Sequence, residues 1–328
     1  MTTYYGLYGQ KVQYLASDPT DVQVGQVWYN STSATLKVRA VTTSGTWASG
    51  GAMNSARNGM ASAGTQTAAL AAGGSVPAPT AVSSATEKYN GSTWTSNPTG
   101  LGTARQQMAG FGLQTAAIAI GGSLAPGAGL TNTESFNGST WSPVSSLNTG
   151  RRLLAGTGIQ TAGLAVGGLT APQAQTESWN GSAWTNVNSL NTGRYGLTSF
   201  GSQTAAIAAG GASPSSASSE SWNGTSWTAT PSLNTARSGI ASAGTQASSV
   251  VFGGTPDGGS TFTGATELWN GTSWTTNPNS LATARQYVGG VGSQTAALAF
   301  GGDAAGQQTA TEAFTGPGAG STKTVTVS

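Results

Sequence analysis

The 328-residue chain contains neither cysteine nor histidine. Disulfides are excluded, and so are the donor sets that usually hold zinc. Catalysis by a Cys–His or Ser–His pair is excluded with them. Charge is scarce: only 7% of residues are charged and the net charge is +2. So small and scattered a positive balance gives no footprint for nucleic acid. No apolar run is long enough for a signal peptide or a membrane span, so export by the general secretory route and membrane insertion are not expected.

What is abundant is glycine, with 50 residues, about twice the usual share of roughly 7%. Alongside it run regular landmarks. Gly-Gly pairs begin at Gly73, Gly121, Gly167, Gly210, Gly253 and Gly301, spaced by 43 to 48 residues. Arginines keep the same beat at Arg57, Arg105, Arg151, Arg194, Arg237 and Arg285, as do glutamates at Glu87, Glu134, Glu177, Glu220, Glu267 and Glu312. Trp47, Trp94, Trp141, Trp184, Trp227 and Trp274 complete the set. Such a period marks a propeller or an array, and periodic tryptophans argue against an unfolded chain.

Each copy divides into four short strands. In the second copy a small-residue strand follows Arg105, then a turn carrying Gln114, then Ala116 to Ile120, apolar at every position as in a strand buried on both faces. Gly121-Gly122 stops it. The third strand carries Glu134 and Phe136, and Asn137-Gly138 predicts a tight type I′ hairpin into the Trp141 strand. The expected fold is all-β, a six-bladed propeller with four antiparallel strands per blade.

The order arginine, buried strand, Gly-Gly, acidic residue near an aromatic, turn and tryptophan resembles the kelch repeat across residues 47 to 316. The chain departs from that family in having an aromatic followed by Asn-Gly where Tyr-Asp-Pro is usual. The resemblance implies a kelch-like propeller and no particular activity.

Trp47 precedes the first arginine without strands of its own, and the last copy lacks a tryptophan strand. A strand at Thr46 to Ser49 therefore fits as the fourth of the last blade, pairing edges otherwise left open. The tail Thr322 to Val327 alternates Val with Thr or Lys and competes for that place or extends its edge. The expected organisation is an anchoring or oligomerisation segment at 1–46, the propeller at 47–316 and a tail strand at 317–328.

The anchor is rich in aromatics, notably Tyr4, Tyr5, Tyr8, Trp28 and Tyr29, which read either as short strands packed on the propeller or as residues docking on a partner. Within it, GQVWYNSTSATLKV (Gly25 to Val38) resembles a segment of bacteriophage tail-fibre and related virion proteins.

In TESF, TESW and TELW the glutamate and aromatic lie two apart, on one side of a strand. A buried carboxylate needs a donor, and arginine is the one cation with the same period. Each glutamate is thus expected to pair with an arginine of its own or an adjacent blade; a ring of binding carboxylates is the alternative. Asn90, Asn137, Asn180, Asn223 and Asn270 match a glycosylation pattern but read as hairpin turns.

The segments between Gly-Gly and glutamate vary in length and sequence, and strand order brings them to one face with the inter-blade links. Variable loops on a rigid frame are where binding usually sits. They offer Phe262, Asp257 and Asp303, with Tyr195 and Tyr287 near strand starts. These are too few for the paired carboxylates of a glycosidase, so no enzymatic activity, metal or cofactor is expected. The reading is a virion structural or attachment protein, a tail-fibre, tail or capsid-surface component released by host lysis. Its partners would be other virion proteins through the N-terminal segment, a host-surface glycan or protein, and further copies of itself. The alternative is a cellular lectin-like or protein-interaction propeller, with a glycosidase as a remote third.

Overall fold

The computed structural model is described for all residues except 1–11, 21–25, 42–43, 79–80, 125–126, 170–172, 213–214, 260, 319 and 326–328. The described residues form 28 strands in seven four-stranded sheets, with no helix. The chain divides into two compact units: Thr46–Phe314, and a smaller one that joins Met1–Gly45 to Thr315–Ser328.

In the smaller unit, β1 (Gln13–Leu15), β2 (Val27–Asn30) and β3 (Thr35–Val41) form one sheet with the last strand of the chain, β28 (Gly320–Val325), in the order β1-β2-β3-β28. The β1–β2 pairing is parallel and the other two are antiparallel. The tail therefore neither competes for nor extends the last sheet of the larger unit, and it is not a separate segment. It lies against β3 with Thr322 opposite Arg39 and Lys323 opposite Val38. The alternating Val and Thr that marked a strand had no way of naming its neighbour.

Trp28 is fully buried in this sheet and donates its indole N–H to Asp18 at 3.0 Å. Asp18 also accepts from Asn30 at 2.7 Å and Lys37 at 2.6 Å. Trp28 thus belongs to the unit's interior and is not presented to a partner, contrary to the anchor reading. Tyr29 stacks on Tyr14 at 5.1 Å, and Tyr14 is exposed. Tyr4, Tyr5 and Tyr8 lie outside the described residues.

The larger unit is propeller-like. Sheet A comprises β5 (Ala61–Thr65), β6 (Ala68–Ala72), β7 (Thr86–Tyr89) and β8 (Trp94–Asn97). Sheet B comprises β9 (Ala109–Leu113), β10 (Ala116–Ile120), β11 (Thr133–Phe136) and β12 (Trp141–Val144), and sheet C β13 (Ala155–Ile159), β14 (Ala162–Val166), β15 (Thr176–Trp179) and β16 (Trp184–Val187). Sheet D holds β17 (Thr198–Gly201), β18 (Ala206–Ala209), β19 (Ser219–Trp222) and β20 (Trp227–Thr230). Sheet E holds β21 (Ala241–Thr245), β22 (Ser248–Phe252), β23 (Thr266–Trp269) and β24 (Trp274–Asn277). Sheet F holds β25 (Gly289–Gly292), β26 (Ala296–Phe300), β27 (Thr311–Thr315) and, as its fourth strand, β4 (Thr46–Ser49). The first strand of each sheet neighbours the first strand of the next, and β25 neighbours β5.

These arrangements follow from side-chain size and polarity. In β10 the residues from Ala117 to Ile120 are buried without exception, as expected of a strand covered on both faces. The first strands alternate small residues because they crowd: a Cβ on Gly110 would lie 2.9 Å from the Ala61 Cβ of the preceding sheet, and one on Gly290 2.9 Å from that of Ala241. Strand three sets its aromatic directly opposite the tryptophan of strand four, as in Phe136 with Trp141 at 4.9 Å and Trp179 with Trp184 at 5.2 Å. Each such ring removes about 1.5–3 kcal/mol worth of apolar surface from water.

The Asn-Gly connection differs from expectation. Phe136 pairs with Trp141, leaving a four-residue loop, and Gly138 but not Asn137 has positive φ. A type I′ turn needs positive φ at both central residues. Asn137 instead accepts the Ser139 and Thr140 N–H groups on its side-chain oxygen, at 2.9 and 2.8 Å, making an Asx turn.

Two polar bridges cross between successive sheets. The glutamine of each first hairpin donates its amide to carbonyls of the preceding sheet: Gln114 to Ala69 and Tyr89, Gln160 to Phe136, Gln203 to Trp179, Gln246 to Trp222, Gln294 to Trp269. Gln66 of sheet A reaches Ala297 and Phe314 of sheet F. The fourth-strand tryptophans other than Trp274 donate in the same direction to a threonine hydroxyl, as Trp184 to Thr133 at 3.2 Å and Trp94 of sheet A to Thr311 of sheet F at 2.9 Å.

Candidate functional site at the axial mouth

The repeated charges come together inside the sheets. Each arginine pairs with the glutamate of its own sheet: Arg57 with Glu87, Arg105 with Glu134, Arg151 with Glu177, Arg194 with Glu220, Arg237 with Glu267 and Arg285 with Glu312. All twelve side chains are buried. One carboxylate oxygen meets the guanidinium, and the other accepts a backbone N–H three residues before the arginine, for example Asn148 N–H on Glu177 at 2.7 Å. The guanidinium also donates to carbonyls; Arg151 reaches those of Gly167 and Gln175 at 2.8 and 2.7 Å. Burial pulls the Arg57, Arg151 and Arg237 guanidinium groups below their ordinary pKa, with the facing glutamate opposing the shift. With so many hydrogen bonds made internally, these carboxylates hold the link between sheets and face no ligand.

The candidate surface lies where the chain leaves each arginine and enters the next first strand. The second residue after the arginine is Gly59, Gln107, Leu153, Gly196, Gly239 or Tyr287, and all six have φ between 50° and 63°. Five inter-sheet N–H to carbonyl bonds join them: Gly59 to Tyr287 (3.1 Å), then Leu153 to Gln107, Gly196 to Leu153, Gly239 to Gly196 and Tyr287 to Gly239 (each 2.8 Å). Between Gln107 and Gly59 the bond comes from Met108 N–H at 3.4 Å. The left-handed conformation is demanded by this belt of hydrogen bonds. Glycine accepts it freely, whereas Gln107, Leu153 and Tyr287 hold it under strain.

Just inside the belt lies an apolar collar of Met60, Met108, Leu154, Leu197, Ile240 and Val288, and together they line a cavity of about 90 Å³. Pockets that engulf a drug-sized ligand are roughly 300–1,000 Å³. The mouth is therefore sized for one projecting group.

The loops flagged by their variability reach the same end of the sheets, through bridges such as Tyr195 with Ala212 and Gln286 with Asp303. Of the loop and strand-start residues singled out in the sequence, Tyr287 lines the mouth, whereas Tyr195 and Asp303 do not. Burial raises the Tyr287 phenol above its ordinary pKa, with Tyr195 and Asp303 adding to the shift and Arg152 opposing it. Asp257 is elsewhere engaged: it accepts from the Thr261 N–H and hydroxyl (3.0 and 2.7 Å) and the Thr255 hydroxyl (2.8 Å), which hold its carboxyl well below the usual carboxylate range. It shapes its own loop. Phe262, half-buried in that loop, is not among the residues lining the mouth.

Gln107, Arg152 and Gln286 were not singled out in the sequence. Arg152 donates to Gln107 Oε1 at 2.8 Å. Their signal is a contrast within the repeat: arginine before and an apolar residue after recur in every copy, while the two positions between them change from copy to copy.

No family model matches the chain, and no curated protein matches it. Among the described residues no group of three or more carboxylates, histidines or cysteines is placed to hold a metal ion.

Proposed function

We propose that the larger unit is a six-bladed, kelch-like propeller closed by β4, and that the protein is a non-enzymatic component of a bacteriophage particle, in its fibre, tail or capsid surface. Six sheets carrying the same landmarks support the blade count, while the terminal sheet carries none of them. The bonds from Gln66 to sheet F, from Trp94 to Thr311 and from Gly59 to Tyr287 support closure.

The observation that carries the functional reading is where the charges go. The periodic arginines and glutamates are consumed in the frame, leaving a stiff, weakly charged block that meets the outside through loops of Gly, Ser, Thr and Ala. Such a block serves presentation and attachment. The fibre-like segment Gly25 to Val38 supplies the β2–β3 hairpin of the smaller unit, which suits a joining module that holds the propeller on a larger assembly.

A chain limited to residues 46–314 tests this reading. It should fold and melt cooperatively yet fail to enter particles that incorporate the full chain. Incorporation at the full level would remove the joining role from the termini. Tyr287 at the mouth favours a second reading, a lectin-like propeller of a cell. That protein would co-purify with no particle.

A further inference from the structure

In the sheet of the smaller unit, residues paired directly across strands share a face. One row runs from edge to edge as Tyr14, Tyr29, Leu36 and Val325, through the pairs Tyr14–Tyr29, Tyr29–Leu36 and Leu36–Val325. Val27 pairs with Val38 one row along, on the same side because each lies two residues from a member of the first row. The residues in between, Trp28, Asn30 and Lys37, take the opposite side, and all three bond to Asp18 there. An antiparallel sheet with one solvated face normally turns its polar residues outward. Here the amide and the ammonium lie on the face that Asp18 closes, and the aromatic and aliphatic side chains look out. Tyr14 is 75% exposed and Val325 38%, at the two ends of the row, and Tyr29 and Leu36 between them are half-buried.

The size of the unit says that this face needs covering. Met1–Gly45 and Thr315–Ser328 make it up, about 60 residues, a size at which a domain buries only about 60% of its surface and leans on disulfides, a metal or association. The chain has no cysteine, and among the described residues no metal-binding group of acids, histidines or cysteines is placed. The order of the side chains says what covers it. From β1 to β28 the row falls in size, from two tyrosines to leucine to valine. A second copy turned about a two-fold axis along the strands lays its β28 over β1 and its β3 over β2. Tyr14 of each copy then meets Val325 of the other, Tyr29 meets Leu36, and Val27 meets Val38. Every large ring is opposed by a smaller side chain, so the two faces keep the spacing of about 10 Å usual for packed sheets across their whole width.

We propose that this face joins two copies of the chain, sheet on sheet, about a two-fold axis parallel to its strands. Such a contact is isologous and closes on itself, so it ends at a dimer. The one charged residue in the two rows, Lys323, stands in the edge strand β28 opposite Val38, at the rim of the contact, where interfaces are polar. The proposal rests on the joining role given above to the smaller unit, and it names the first partner of that module.

Sedimentation velocity of the full chain over a micromolar range tests it. A dimer is expected; a monomer throughout, or a trimer or larger closed assembly, would overturn the two-fold contact. Tyr14→Asp alters a side chain too exposed for folding to depend on it, and it should weaken the dimer at least about ten-fold, the loss of one good contact, with the thermal transition retained. A dimer unchanged in that variant would place the interface elsewhere and overturn the face. Because the chain has no cysteine of its own, its register can be read by cross-linking. Tyr14→Cys and Val325→Cys in one chain should form a disulfide between copies on mild oxidation, and neither substitution alone should do so. Within one chain the two positions stand three strand spacings apart, about 14 Å, too far for a disulfide. A double variant that stays uncross-linked would overturn the arrangement. A monomeric full chain that still enters particles, where the 46–314 chain does not, would overturn the dimer and leave the joining role standing.

Discussion

Arg151 Nη2 lies 2.9 Å from Glu177 Oε1, with both side chains wholly buried, and the other oxygen of the same carboxylate takes the Asn148 N–H. One glutamate therefore fastens the third strand of its sheet to the link that enters the first. Removing either partner leaves a charge in an apolar surround, which costs about 3–5 kcal/mol. Glu177→Leu and Arg151→Met are each expected to lose about that much in denaturant unfolding, and the double variant less than the sum by at least about 1 kcal/mol. Strict additivity would mean that the two do not act as a pair.

The glutamine bridges test closure. Gln160 carries two bonds from sheet C to sheet B, to the Ser135 hydroxyl and the Phe136 carbonyl, and Gln66 carries the corresponding ones from sheet A to sheet F. Losing two partly buried hydrogen bonds should cost about 1–3 kcal/mol in Gln160→Ala. Gln66→Ala should cost the same if the last sheet is tied to the first. A Gln66 variant with an unaltered unfolding midpoint would contradict a closed ring.

A natural irregularity supplies a third test. Trp227 donates to the Thr176 hydroxyl at 3.1 Å, but the next position in the series is Ser219, whose hydroxyl is unpartnered, and Trp274 donates instead to the Pro231 carbonyl at 3.1 Å. Thr176→Val should destabilise by about 1–3 kcal/mol by stranding the indole N–H. Ser219→Thr restores the residue used elsewhere and should be neutral or stabilising by up to about 1 kcal/mol. Denaturation midpoints decide it: that of Thr176→Val should fall, and that of Ser219→Thr should hold or rise.

Asp18 is expected to make the smaller unit sensitive to acid. Bonds from Lys37, then Asn30 and Trp28, lower its carboxyl from 3.8 to about 2. A depressed carboxylate contributes stability that is present above its unfolded pKa and is lost as pH falls through the folded one. The Trp28 indole N–H resonance should therefore be constant above about pH 4 and shift as pH drops toward 2. In Asp18→Asn that titration should vanish; its persistence would assign the change to another group.

How much of this was legible differs from residue to residue. Glu134 and Phe136 betrayed themselves because two-residue spacing fixes a shared strand face, and a buried acid has few possible partners. Which arginine each glutamate meets was open, since spacing along the chain does not say whether a side chain turns toward its own sheet or its neighbour. Gln114 and its five counterparts were equally periodic, yet an amide reads as an ordinary hairpin residue until its distant carbonyl acceptors are known. The mouth was least legible. Gln107, Leu153 and Tyr287 come from three copies of the repeat, and only the packing of first strands around a common axis brings them to one opening.

Both crossings of the chain into the larger unit use adjacent strands of one sheet, with Gly50 N–H, just after β4, bonded to the Thr311 carbonyl of β27. Entrance and exit stand side by side. Residues 46–314 are thus a cassette: they sit as an insertion between β3 and β28, and a gene could exchange one such module for another by recombination at two points without disturbing the sheet that receives it.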